Sequence, residues 1–243
     1  MSGITNLTLD DLKFAFDLTP EKAVEYFEEK GIKISGNWQE IADACKENAF
    51  TLSRVKSLDL LTDFKNALET ALKEGHSAAE FRQNIKNMLQ DKGWLAKQET
   101  PDNLKSAHRL NNIYRTNMQN AFSAGRYKQS MGDQDAFPYV IFYSTIDKKT
   151  TKECDFLHKK AMSLDDAKLN KFYPPGHYQC RRRAVSADSA DLKTSKITLL
   201  KGSHSMKYQN EDGFNTKPGK AFSPDKGKYS AELVKRAKSV FKK

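Results

Sequence analysis

The stretch that decides the reading runs from Cys154-Asp-Phe-Leu-His158 to Pro174-Pro-Gly-His-Tyr-Gln-Cys180-Arg-Arg-Arg183, and it holds two of the three cysteines and two of the five histidines of the chain. Cys154 and His158 are four apart, so a helix over 151–159 projects both side chains from one face, about one turn apart. That spacing suits a shared metal. His177 and Cys180 fall in a turn announced by Pro174, Pro175 and Gly176, the manner in which knuckle loops bring a second ligand pair to zinc. Cys154, His158, His177 and Cys180 together supply two thiolates and two imidazoles, the donors of a closed tetrahedral structural zinc site that staples and does not catalyse. The order Cys-x3-His…His-x2-Cys is not a usual zinc-finger spacing, and the residues also read without metal: Cys154 as a small buried hydrophobe, His158 on a helix surface, His177 in a turn. On either reading the Pro-Pro turn returns the chain to the short helix.

Just before this stretch, residues 138–146 alternate Tyr139, Ile141 and Tyr143 against Val140, Phe142 and Ser144 and are rich in aromatic and β-branched side chains, the clearest strand of the sequence. Residues 181–186 supply a second strand to pair with it, which sets the knuckle between two strands of a small antiparallel sheet. Upstream, the longest helical pattern covers 102–131, with Leu110, Ile113, Tyr114, Ala121 and Phe122, and is ended by Gly132; it places Arg115, Gln119 and Arg126 near one side, as anion binders or as solvated and structural groups. The first hundred residues read as shorter helices. Thr19-Pro20 opens one that Gly31 ends; another follows Asn37 with Ile41, Cys45, Ala49 and Leu52 at helical spacing. A third spans 57–74 with Gly75 as its stop, and Ser77 with Glu80 forms a capping box for a fourth that stops at Gly93.

Beyond Asp188 apolar periodicity fades, and 188–229 reads as an extended polar arm that orders on docking, relieved only by a short strand at Ile197, Leu199 and Leu200. From about Ser230 a basic amphipathic helix returns, with Leu233, Val234, Ala237 and Phe241 beside Lys235, Arg236 and Lys238. The expected fold class is α+β: a mainly helical N-terminal half, a long helix, a small antiparallel β-sheet with a Cys/His knuckle, then an extended C-terminal arm. The divisions are 1–100, 101–190 and 191–243.

Charge divides the chain differently. Residues 1–100 carry 13 basic and 17 acidic side chains, a net −4, and the remaining 143 carry +14 of the total +10. A basic half beside an acidic one points to nucleic acid or an acidic protein surface, or to a solubilising surface. The candidates for nucleic-acid contact are Arg181, Arg182 and Arg183 in the arginine run and Lys235, Arg236 and Lys238 on the tail helix. No apolar run of eighteen and no basic-then-apolar leader is present, so no membrane partner is expected. An odd number of scattered cysteines fits a reducing compartment.

The order of parts resembles the Mu F-like minor head proteins of tailed bacteriophages, the phage head morphogenesis family. The resemblance rests on Thr19-Pro-Glu-Lys-Ala-Val-Glu-Tyr-Phe27, Gly31, Trp38-Gln-Glu40 and Lys92-Gly-Trp-Leu95; on the helix from Ile113 to Tyr127; on Asp147, Thr151, His158, Phe172-Tyr-Pro-Pro175 and Cys180-Arg181; and on Gly213-Phe-Asn-Thr-Lys-Pro-Gly-Lys-Ala221. The family pattern carries His or Cys in the short helix and a Pro-Pro turn leading to Cys-Arg-Cys. Cys154, His158 and Cys180 match it; Arg182 stands where the last cysteine would be, and His177 is placed to take over that ligand role. The resemblance implies a head protein of low copy number, in the virion head and in the host cytoplasm during assembly, with the portal protein, other head proteins and packaged double-stranded DNA as partners. Some longer relatives carry a further, nuclease-like C-terminal domain, and this chain is expected to end before one.

Three function classes follow. A structural virion protein needs no active site. A zinc-knuckle nucleic-acid binder free in the cell would show a compact basic face with exposed aromatics. A nuclease or toxin-like enzyme built on His158 or His177 lacks paired carboxylates at useful spacing, a nucleophile with base and orienting acid, and a phosphate loop. The expectation is therefore not an enzyme.

Overall fold

The computed structural model describes residues 21–34, 49–52, 54–55, 57–94, 104, 106–200, 208–211 and 214. In the N-terminal half, α1 (Glu21–Glu28) buries Ala23, Val24, Tyr26 and Phe27. Helix α2 (Leu58–Glu74) starts where the Ser57 hydroxyl accepts the Leu60 N–H at 3.4 Å and stops at Gly75, whose φ of 71° is the left-handed conformation that spares glycine a Cβ penalty. Helix α3 (Ala78–Asp91) opens on a complete capping box: Glu80 Oε2 accepts the Ser77 N–H at 2.7 Å and Ser77 Oγ accepts the Glu80 N–H at 3.3 Å. Ser77→Ala removes one half of that exchange. It is expected to lower unfolding free energy by about 1 kcal/mol in a urea titration, and an unchanged midpoint would count against the cap.

Helix α4 (Ala107–Gly132) begins at Ser106, whose hydroxyl accepts the Arg109 N–H at 3.3 Å. With 26 residues it is about 39 Å long. That length lets one helix serve two cores. Its first part carries Leu110, Ile113, Met118, Ala121 and Ala124 into the core of α1, α2 and α3, where Phe27, Phe64, Leu68, Phe81 and Ile85 are buried. Its last part carries Tyr127 into the core beneath the sheet. The helical core thus continues across residue 100 into α4.

The sheet is built from β1 (Tyr139–Ser144), β2 (Lys160–Ser163), β3 (Arg182–Ala187) and β4 (Thr198–Leu199), in the order β3-β1-β2-β4. β1 pairs antiparallel with both β2 and β3, with Ile141 opposite Ala161 and Val185. The alternation read in residues 138–146 decides the two faces. Val140 and Phe142 face a core with Leu157, Met162, Leu169, Phe172, Tyr173 and Tyr127, while Ile141 joins Ala161 and Ala187 on the other side, beside Leu192, Ile197 and Leu199. Between β1 and β2 lies the short helix α5 (Lys152–Leu157); after β3 comes α6 (Ser189–Thr194), capped by Asp188, whose carboxylate accepts the Ala190 and Asp191 N–H groups.

The α+β architecture and the β1–β3 antiparallel pair agree with the sequence reading; four features correct or extend it. The sheet is mixed, because β4 joins β2 in parallel. β2 and α6 were not legible as elements: Lys-Ala-Met-Ser is too short and too polar to announce a strand by period. The helix expected after Asn37 does not include its last residues, since Ala49–Leu52 are not helical and Phe50 instead bridges to Ile32, with its N–H on Gly31 O at 2.7 Å. Its earlier positions, Ile41 and Cys45 among them, lie outside the described residues. Finally, part of the segment read as an arm is packed: Asn210 and Phe214 are buried. The Thr19-Pro20 cap, Trp38 and the basic tail helix with Lys235, Arg236 and Lys238 lie outside the described residues.

Candidate metal centre

Helix α5 starts at Thr151, whose hydroxyl accepts the Cys154 N–H at 3.3 Å, and this fixes the first turn so that the Cys154 side chain points inward. The returning turn contains a cis peptide bond between Pro174 and Pro175 and lays His177 and Cys180 against that helix. Ser123 of α4 holds the turn from beneath by donating its hydroxyl to Pro174 O. The result is a cluster in which Cys154 Sγ lies 3.2 Å from His177 Nε2 and 3.7 Å from Cys180 Sγ. Among the described residues these three form the group whose potential ligand atoms all lie within 4.8 Å of one another.

His158 does not join them. Helix α5 ends at Leu157, and His158 is its C-cap with φ −57° and ψ 129°, so the stacking of positions four apart on which the sequence reading depended fails at its last residue. The imidazole turns instead to β1, where Nδ1 accepts the Ser144 N–H at 3.1 Å and the ring meets Tyr143 edge-on at 6.1 Å. Three of the four residues anticipated as ligands therefore converge.

The donor set fits a zinc ion. Zinc–thiolate bonds of about 2.3 Å at a tetrahedral angle place two sulfurs roughly 3.8 Å apart, and the two sulfurs here are 3.7 Å apart. His177 Nδ1 lies 2.8 Å from Tyr178 O, so that nitrogen carries the proton and Nε2 directs its lone pair toward the thiols. The bond from the Cys154 thiol, aided by His177 and the Arg182 charge, draws the Cys180 pKa well below that of a free thiol, while the same bond and burial push Cys154 up. His177 is raised, chiefly by its bond to Cys180.

Arg182 is the residue the sequence reading misplaced. As the first residue of β3 it was offered to nucleic acid, but its side chain is only 2% exposed. The alternation of β3 turns Arg181 and Arg183 outward and Arg182 inward. Its Nη2 donates to Phe172 O at 2.9 Å and to Asn210 Oδ1 at 2.5 Å, and Nη1 approaches Cys154 Sγ at 3.4 Å. In the position where a third cysteine would stand, the chain places a buried cation against the thiol pair. Arg181 is exposed and paired with Asp147, with Nη2 to Oδ1 at 2.6 Å, and this guanidinium holds the Asp147 carboxyl far below the usual range. Arg183 is exposed, with its guanidinium over the Tyr143 ring at 5.9 Å.

Sequence reasoning also missed Asn210. Its N–H donates to Lys171 O at 2.7 Å and its side-chain amide to Tyr173 O at 2.7 Å and Phe214 O at 3.0 Å, and Glu211 N–H reaches Gly176 O at 2.9 Å. Phe214 meets Tyr178 edge-on at 5.0 Å and Tyr208 stacks on Phe156 at 4.5 Å. Gly176 leaves room for this crossing, since a Cβ there would lie 2.5 Å from Asn210 Oδ1 and 2.6 Å from Arg182 Nη2. The one available signal was the Pro-Pro-Gly turn, which marks a close approach without naming the segment that approaches.

The architecture is a helical body joined through one long helix to a small mixed sheet, with a Cys/His/Cys cluster between short helix and turn. The chain belongs to the family described as Phage Mu protein F like protein, whose pattern matches residues 62–185. It is 32% identical over 240 residues to a protein of Escherichia phage Mu named "Putative capsid assembly protein F", covering 95% of this chain and 54% of that protein. It is 30% identical over 181 residues to the Mu-like prophage FluMu F protein of Haemophilus influenzae, covering 72% of this chain and 44% of that one. The chain thus spans about half the length of these relatives. No solved structure matches it. Among the described residues no helix is long and apolar enough to cross a membrane.

Proposed function

We propose that this chain is a structural protein of a phage head, acting in head morphogenesis, built into the virion near the portal and meeting packaged DNA with its basic half. The observation that carries the reading is 32% identity, sustained over 95% of the chain, to a protein named for capsid assembly. The three convergent donors are two thiols and an imidazole, the groups packed on them are Arg182, Thr151 and main chain, and three protein ligands leave the fourth position of a zinc ion to water or to a residue outside the described ones. Two elements far apart in sequence are joined there. A zinc ion held by Cys154, His177 and Cys180 would clamp α5 to the strand entering the sheet. Cations open to solvent for a DNA contact include Lys148, Lys149, Lys152 and Arg183, Arg181 being paired with Asp147. Such cations bind phosphate without regard to sequence and lose affinity steeply with salt.

Mass spectrometry of purified phage particles tests the assignment. The chain is expected in the head at low copy number; its absence from particles overturns the reading and leaves a nucleic-acid binder free in the cell as the next candidate. Zinc is tested separately on the recombinant chain by elemental analysis, with about one ion per chain expected. His177→Ala should lower occupancy at least tenfold at limiting zinc, whereas His158→Ala should leave it unchanged. Occupancy should also fall as pH drops from 7 to 5, because protons compete for both sulfurs and for Nε2. Retention of zinc by His177→Ala would remove that ligand from the set.

A further inference from the structure

We propose that Cys154 and Cys180 form an intrachain disulfide when the chain is metal-free and meets an oxidising environment, so that the same two sulfurs serve as a metal clamp or as a covalent clamp but never both. The inference goes beyond the head-assembly reading. It rests on placement: the sulfurs are 3.7 Å apart, both are buried, and no side chain lies between them. A disulfide needs the sulfurs to approach to about 2.05 Å, a movement of under 2 Å for two side chains that already touch. The third cysteine, Cys45, lies outside the described residues.

The chemistry closes with a low-molecular-weight disulfide as oxidant, admitted when the turn carrying His177 and Cys180 lifts from α5, since both sulfurs are buried in the closed form. Cys180 Sγ attacks one sulfur of that disulfide, its S–S bond breaks, and one small thiolate leaves. Cys154 Sγ then gives its proton to His177 Nε2, 3.2 Å away, and attacks Cys180 Sγ, releasing the second small thiolate. The two protein sulfurs are oxidised by two electrons and the small disulfide is reduced by two; the Cys180 proton passes to the first departing small thiolate, and the Cys154 proton, held on His177 Nε2, passes to the second, giving two small thiols. A zinc ion on both sulfurs occupies the lone pairs that each step requires.

The bridge would fix what the metal fixes. It links α5 to the residue two before Arg182 and closes a loop between positions 26 apart. An environment that oxidises thiols is met by extracellular particles and not by a reducing cytoplasm, which gives the exchange a direction: metal or free thiols during synthesis, disulfide afterwards.

The test uses the full chain in two forms, zinc-loaded and chelator-treated, each exposed to oxidised glutathione, quenched with an alkylating reagent and mapped by peptide mass spectrometry without reduction. In the chelated form the Cys154 and Cys180 peptides are expected as one linked species, with Cys45 alkylated or carrying glutathione. The linked form should melt on the order of 5–10 °C higher than its dithiothreitol-reduced counterpart. The zinc-loaded form should form the bridge at least tenfold more slowly. A Cys45→Ser chain should behave as the parent does, and a linked species involving Cys45 in the parent overturns the assignment. Recovery of Cys154 and Cys180 as separate alkylated or glutathionylated peptides in the chelated form overturns the disulfide. Equal rates in the two forms overturn the exclusivity of metal and bridge.

Discussion

Arg182→Leu is expected to destabilise the chain by about 3 kcal/mol or more, against at most about 0.5 kcal/mol for Arg183→Leu one residue away. The contrast follows from the alternation of β3. Arg183 faces water and the Tyr143 ring, so its removal leaves no buried group unsatisfied. Leucine in place of Arg182 leaves Asn210 Oδ1 and Phe172 O without that donor in a site from which water is largely excluded, and it removes the guanidinium 3.4 Å from Cys154 Sγ. Each orphaned buried acceptor costs about 1–3 kcal/mol, and there are two of them. Urea unfolding of the two variants measures the difference. The opposite pattern, an Arg182 variant as stable as its parent but with weakened DNA binding, would return Arg182 to the role first assigned to it and refute the buried placement. In a proteolysis experiment the Arg182 variant should also release the 208–214 segment, since Asn210 is held on one side by the lost guanidinium.

The second large effect concerns Gly125, and here helix propensity and packing have opposite signs. Glycine inside a helix ordinarily costs up to about 1 kcal/mol relative to alanine, so its replacement in α4 would stabilise an isolated helix. In the folded chain a Cβ at 125 would stand 2.9 Å from Ala23 N and 3.2 Å from Ala23 Cα, backbone atoms of α1 that cannot rotate aside. The helices α1 and α4 meet at this point, with Ala23 and Ala124 both buried in the helical core. Gly125→Leu is therefore expected to cost about 3 kcal/mol or more, by forcing α1 off α4. Gly132, at the end of the same helix, has nothing within 4 Å of its notional Cβ, and Gly132→Ala should be neutral or gain up to about 1 kcal/mol. Thermal melts of both decide it; equal melting temperatures would show that α1 does not approach α4 as closely as described.

The balance of these two sites explains which features were open to sequence reasoning. Ser57, Gly75, the Ser77–Glu80 box and the 139–144 strand were legible because each depends on neighbours within four residues, where side-chain oxygen, missing Cβ or alternation acts on adjacent backbone. The family was legible for a different reason, the order of separate motifs along the chain. His158 was misassigned because the argument required a helix to continue one residue past its last turn. A terminus is where local rules are weakest, since Leu157 is buried in the sheet core and His158 is captured by the Ser144 N–H of β1. Arg182 was misassigned because composition counts charges without knowing which face of a strand they occupy.

The helical N-terminal half and the caps of α2 and α3 could be read directly because short-range stereochemistry sets them, while the pairing of β1 with β3 and the meeting of Cys154 with His177 and Cys180 could be read because alternation and one Pro-Pro turn bring the chain back on itself. Burial of the arginine at the entry to β3, the return of Asn210 across the turn to bond it, the parallel pairing of β4 and the contact of two helices at Gly125 emerge from the packed chain alone. Each of those rests on groups distant in sequence competing for the same buried space, with hydrogen bonds satisfied across 28 residues in the case of Arg182 and Asn210, and no local pattern encodes which distant partner wins.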